Sequence, residues 1–149
     1  MHRRNILTAA TAAIGALFAA ADKTAQAAPT TPDKSKVVYH LSDFDKVESV
    51  LGNIRNHYEG VGGPDKVTIV LVVHGSALKA FHTESATASI VQRTSEFSKS
   101  GLELDACSNS MRSQNVTLKD LVPGFVAADR GAVVRIAELQ SQGYVYLRP

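Results

Sequence analysis

The chain has one cysteine, Cys107, among its 149 residues. No disulfide can staple the fold from within, and no C-x-x-C pair is present to run dithiol redox chemistry. A bilayer-spanning run is also missing: the apolar stretch from Ile6 to Ala21 has 16 residues, against the roughly 20 a transmembrane helix needs. There is no G-x-x-x-x-G-K-[ST], and Gly60-Val-Gly-Gly63 precedes an apolar strand instead of joining a strand to a helix, which excludes a phosphate loop and a dinucleotide fingerprint. His74-Gly75-Ser76 lacks the G-x-S-x-G spacing of a serine hydrolase elbow. His40, His57 and His82 stand apart with no H-x-x-x-H pair and no second cysteine, so neither a metal site nor a cofactor is expected. No Lys/Arg cluster or aromatic stacking series calls for nucleic acid.

What is present begins with an address. Arg3-Arg4 with Ile6-Leu7 behind them, the short apolar run and Ala25-Gln26-Ala27 together have the pattern of a twin-arginine (Tat-like) signal peptide over residues 1–27. Export to the periplasm or beyond is the expectation, with no membrane association after cleavage. Of the 16 basic and 14 acidic residues, Arg3, Arg4, Lys23 and Asp22 lie in this leader, so the remainder balances at 13 of each. The residues that follow suffice for one domain with one core.

Residues 28–35, with Pro29 and Pro32, read as a flexible lead-in to a domain spanning 36–149. Val37–Leu41 is a predicted strand, and Ser42-Asp43-Phe44-Asp45 reads as a capping box. Phe44, Val47, Val50, Leu51, Ile54 and Tyr58 at spacings of three and four predict a helix ended by Gly60. Val67–Val73 is almost continuously apolar and β-branched, which suits a parallel strand covered on both faces. Ala77–Phe81 reads as a helical turn, and 85–100 as a helix with Ile90, Val91 and Phe97 inward. Leu102, Leu104 and Ala106 alternate with Glu103 and Asp105 in a third strand. After Cys107 come Ser108, suited to capping, and Asn115, suited to a left-handed helix end. Thr117–Asp120 offers another capping box, Phe125–Ala127 a short strand, 130–142 a helix with Val133, Ile136, Ala137 and Gln140 on one side, and Tyr144–Leu147 a fifth strand. Five alternations predict an α/β fold, a three-layer α/β/α sandwich around a mostly parallel five-stranded sheet.

In such sheets reacting groups gather at the carboxyl ends of strands. Those ends carry His74-Gly75-Ser76 and Cys107-Ser108-Asn109. A thiol at a helix start faces unpaired backbone N–H groups that favour thiolate. Cys107 is the candidate nucleophile, His74 a candidate base or orienting group, and Ser108, Asn109 and Gly75 candidate substrate contacts.

Four motifs in order, Val-Val-His74-Gly-x-Ala-Leu78, Leu-x-Ala-Cys107-x-Asn-x-Met111, Asn115-Val-x-x-x-Asp-Leu121 and Leu139-Gln-x-x-Gly-Tyr-x-Tyr-Leu-x-Pro149, resemble the DsrE/DsrF-like family over residues 36–149. The resemblance implies a small α/β/α domain assembling into a homo-oligomer, trimer or hexamer. It also implies sulfane sulfur carried as a persulfide on Cys107, between donor and acceptor partners it does not name. The expected function is an exported sulfur carrier or sulfurtransferase-like protein. A non-catalytic binding or assembly module and a thiol redox sensor are the alternatives.

Overall fold

The computed structural model describes residues 34–149; the expected signal peptide and nearly all of the lead-in lie outside the described residues. Five strands, β1 (Ser35–Leu41), β2 (Val67–Val73), β3 (Glu103–Cys107), β4 (Phe125–Ala128) and β5 (Val145–Leu147), form one sheet. All pair in parallel, in the order β4-β3-β2-β1-β5. The chain walks from β1 to one edge and then crosses back to place β5 on the other side of β1.

Helices α1 (Val47–Val61), α2 (Ala88–Lys99) and α3 (Ser108–Ser113), with a 3-10 segment at Gly75–Phe81, cover one face, and α4 (Ala132–Ser141) covers the other. The fold is a three-layer α/β/α sandwich, as the alternation of elements predicts.

β2 shows why its sequence is apolar throughout. Ile69, Leu71 and Val73 enter the large core beneath α1 and α2, whereas Val70 and Val72 point to the smaller core beneath α4. A strand covered on both faces has no position left for water. The larger core is anchored by Leu51, Ile54, Leu78 and Phe81, all fully buried.

Several local expectations are corrected. The strand begins at Ser35, paired with Val67, so the first element starts before the apolar run. No side-chain cap forms at Ser42-Asp43; Arg148 Nη2 donates to Ser42 Oγ at 2.9 Å instead, and Phe44 is exposed. α1 runs past Gly60 and stops at Gly62, whose φ of 90° gives the left-handed cap. On α2 the buried residues are Ile90, Thr94 and Phe97, and Val91 faces outward. On α4 the buried residues are Ala132, Ile136 and Leu139; Val133 is 75% exposed, and Ala137 and Gln140 are exposed too. The stripe that meets the sheet is rotated from the expected one, because the packed side is chosen by how α4 crosses β1 and β2. The Thr117 capping box does form, with Asp120 Oδ2 accepting from the Thr117 backbone N–H and hydroxyl, both at 2.8 Å. Asn115 has a φ of 54°, the left-handed conformation expected of it.

Candidate functional site

β3 delivers Cys107 to the carboxyl end of the sheet, where it is the N-cap of α3 in an extended conformation, φ −64° and ψ 118°. The cap therefore falls on the cysteine, and Ser108 is the first helical residue. Alternation along β3 puts Leu104 and Ala106 in the large core and turns Cys107 to the α4 side, into the smaller core. The thiol is 4% exposed.

That burial does not leave Sγ among aliphatic groups alone. β4 pairs with β3 so that Ala128 stands beside Cys107, and the chain then turns at Gly131 into α4. The first N–H of α4, that of Ala132, donates to Sγ at 3.3 Å. Burial pushes the thiol pKa up, but the Ser110 N–H, the Ala132 N–H, the Ser110 hydroxyl and the Asn109 N–H together bring it below its ordinary value. Three of them are backbone donors at two helix starts, and together with the hydroxyl they stabilise an anion on sulfur.

Gly131 makes the approach of α4 feasible. Its φ is +90°, and a Cβ there would stand 2.7 Å from Asn109 Nδ2 and 4.0 Å from Sγ. Asn109 itself is exposed, and its Oδ1 accepts from Arg112 Nη2. Ser108 Oγ makes only a long contact, 3.5 Å, to Asp129 Oδ1.

Gly75 reaches this site through the side chain of Ser110. Its N–H donates to Ser110 Oγ at 2.8 Å, and its carbonyl accepts from Gln114 Nε2 at 2.8 Å. Its φ of +57° and the close carbonyl of Ser42, 3.1 Å from where a Cβ would stand, make this a glycine position. Ser110 thus ties the end of β2 to the niche around the thiol.

His74 is placed differently. One step beyond the last β2–β3 pair, Val73 with Ala106, it stands at the register position next to Cys107. No hydrogen bond joins it to the thiol among the described residues. Its Nε2 lies 2.5 Å from His40 Nε2, with the rings stacked at 4.8 Å and 18°. Tyr146 OH meets His40 Nδ1 at 2.6 Å. Burial and then the charges of His74 and Arg148 lower the His40 pKa to about 4, against an opposing pull from Asp43. Burial and then Arg148 lower that of His74 as well, again opposed by Asp43. Both imidazoles are neutral at neutral pH.

The structure therefore gathers Cys107, Asn109 and, through Ser110, Gly75; it also pairs His74 with His40, 34 residues away in sequence. Ser110, Gly131, Ala132, His40 and Tyr146 belong to the surroundings of these residues without being assigned to the site from sequence. Of these, Ser110 carries a local signal, as one of the run of polar residues that follows Cys107, whereas Gly131 reads from sequence as a turn or packing glycine. Among the described residues, no group of three or more His, Cys, Asp or Glu side chains is arranged to hold a metal ion.

No family model and no curated protein matches the chain. Solved structures do. MTH1491 from Methanobacterium thermoautotrophicum, a protein of unknown function, has a TM-score of 0.68 and 26% identity over 77% of this chain and 99% of its own. The fold is DsrE-like. BT1422 from Bacteroides thetaiotaomicron, a conserved protein of unknown function, shares this DsrE-like fold at a TM-score of 0.59 and 15% identity, covering 80% of this chain and 99% of its own. The ychN protein of E. coli follows with a TM-score of 0.55 and 11% identity, over 78% and 99%.

Proposed function

We propose that this chain is an exported, homo-oligomeric member of the DsrE/DsrF-like family that carries sulfane sulfur on Cys107. The observation that carries the reading is the convergence of backbone N–H groups on Sγ, with that of Ala132 at 3.3 Å. A persulfide is an anion at neutral pH, as is the thiolate that precedes it, and both gain from donors fixed before the reaction begins.

The loading step balances without a redox partner. The Cys107 thiolate attacks the outer sulfur of a sulfane donor such as thiosulfate; its S–S bond breaks as a new S–S bond forms on the cysteine, and sulfite leaves with the electron pair. Attack by an acceptor thiolate on the outer sulfur then returns Cys107 to its thiolate. Asn109, exposed beside Gly131 and near Sγ, is the side chain the donor would meet at the surface in this reading. His74 is not the base in this scheme: its hydrogen-bond partner is His40, and the thiol proton passes to solvent while the N–H cluster stabilises the thiolate that remains.

The test is intact-mass measurement after incubation with thiosulfate or polysulfide. The wild-type chain should gain one sulfur atom that dithiothreitol removes, and Cys107→Ser should gain none. An unmodified wild-type chain overturns the proposal. The 4% exposure of the thiol favours a second reading, a binding or assembly module in which Cys107 is a small core residue. In that case Cys107→Ala keeps the oligomeric state and partner binding and costs about 1 kcal/mol of packing.

A further inference from the structure

The four donors on Cys107 Sγ come from the start of α3 and, on the β4 flank, from the β4–α4 turn. The β2 flank contributes none, and there His74 stands at the register position beside the cysteine. His74 is still extended, with φ −149° and ψ −176°, so alternation along β2 keeps it on the face of Val72, the face to which Cys107 also turns.

The His74 ring is held from the side away from the thiol. Its Nε2 meets His40 Nε2 at 2.5 Å, and His40 Nδ1 meets Tyr146 OH at 2.6 Å. Both imidazoles are neutral at neutral pH, so each carries a single N–H. A phenol is a far stronger acid than a neutral imidazole, so Tyr146 donates to His40 Nδ1. The proton of His40 is then on Nε2 and is donated to His74 Nε2, which leaves the proton of His74 on Nδ1. The two nitrogens of an imidazole point in nearly opposite directions, so Nδ1 is turned away from β1 and toward the β3 side. It has no hydrogen-bond partner among the described residues. Arg148, the cation that faces both rings, is engaged with Ser42 Oγ and Asp43 Oδ2.

We propose that the His74 Nδ1–H is the hydrogen-bond donor for the outer sulfur of a Cys107 persulfide, with His40 and Tyr146 as the positioning residues that fix its tautomer. This role rests on the carrier reading of Cys107. The outer sulfur stands about 2 Å beyond Sγ, and neighbouring strands are about 4.8 Å apart, so a sulfur extended from β3 toward β2 comes within reach of the ring. In the unloaded thiolate the donor has nothing to bind, and it therefore favours the loaded state alone. Loading from thiosulfate is reversible: sulfite attacks the outer sulfur, the S–S bond to Cys107 breaks, and its electron pair returns to Sγ.

The experiment equilibrates the full chain at a series of sulfite-to-thiosulfate ratios and reads persulfide occupancy by intact mass. His74→Leu should lower the ratio at half occupancy roughly tenfold. His74→Asn, which keeps an N–H donor where Nδ1 stands, should recover most of the loss, and Tyr146→Phe, at an edge strand, should lower the ratio severalfold. Nitrogen-15 spectra of the wild-type imidazoles should show His74 protonated at Nδ1. An unchanged ratio in a folded His74→Leu chain, or a wild-type His74 protonated at Nε2, overturns the proposal; if His74→Leu does not fold, an unchanged ratio in Tyr146→Phe does so instead. A wild-type chain that gains no sulfur at any ratio overturns the carrier reading itself, and this role with it.

Discussion

The Ala132 N–H donates to Cys107 Sγ at 3.3 Å, joining residues 25 apart in sequence. The contact brings the start of one helix to the sulfur that ends a strand. The thiol is therefore favoured as an anion by an element on the opposite face of the sheet from its own helix.

Gly131→Ala tests this contact. The added Cβ would stand 2.7 Å from Asn109 Nδ2 on a backbone with φ +90°, so we expect a loss of about 1–3 kcal/mol of stability. The shift of the turn draws the Ala132 N–H off the sulfur, so the iodoacetamide reaction of Cys107 should need a higher pH than in the wild type. A pH–rate series beside a thermal melt checks both; an unmoved midpoint in a destabilised variant would mean that Ala132 does not set the thiol's acidity.

The His40–His74 pair predicts an acid-sensitive fold. Both imidazoles are held below their ordinary value of 6.5, His40 at about 4. The unfolded chain therefore binds more protons in that window, so stability is complete above about 6.5 and falls as pH drops toward 4. His40→Gln should flatten this slope. Proton NMR of the His40 ring should place its midpoint near 4, and a midpoint at the ordinary value would contradict the packing of the pair.

Arg135→Leu should strand Asp105, whose side chain is 1% exposed. The expected loss is about 3–5 kcal/mol near neutral pH. It should shrink in acid, because burial already raises the Asp105 pKa and removing the arginine raises it further, so protonation relieves the variant. Urea unfolding at two pH values measures this, and a loss independent of pH would point to packing alone.

Ile54→Ala, at a fully buried α1 position, should cost about 2–5 kcal/mol. Val133→Ser, at a position 75% exposed, should stay within about 0.5 kcal/mol. Sequence periodicity alone assigns both residues to the interior of their helices. Equal losses would restore that reading for α4.

The difference between those two residues shows where legibility ends. α1 has one apolar stripe, so its inward face could be read directly. α4 has apolar residues on more than one side, and only its seat above Val38, Val70 and Val72 selects Ala132, Ile136 and Leu139. Asp105 alternates with apolar neighbours as if it faced water, yet α4 covers it and Arg135 answers its charge. Cys107 is legible as a thiol at a strand-to-helix junction, but one of its four donors, the Ala132 N–H, reaches it from the far side of the β4–α4 turn.

The sequence by itself determined the elements and their class: β-branched runs make strands, three- and four-residue apolar spacings make helices, and Asn115 and the Thr117 box punctuate them through local backbone chemistry. Only the tertiary structure decided the order β4-β3-β2-β1-β5, the meeting of His40 with His74, and the donors around Cys107. The physical reason is range. Periodicity and capping act over a few residues, whereas neighbours in the sheet and the face on which α4 lands follow from burying all the apolar surface at once.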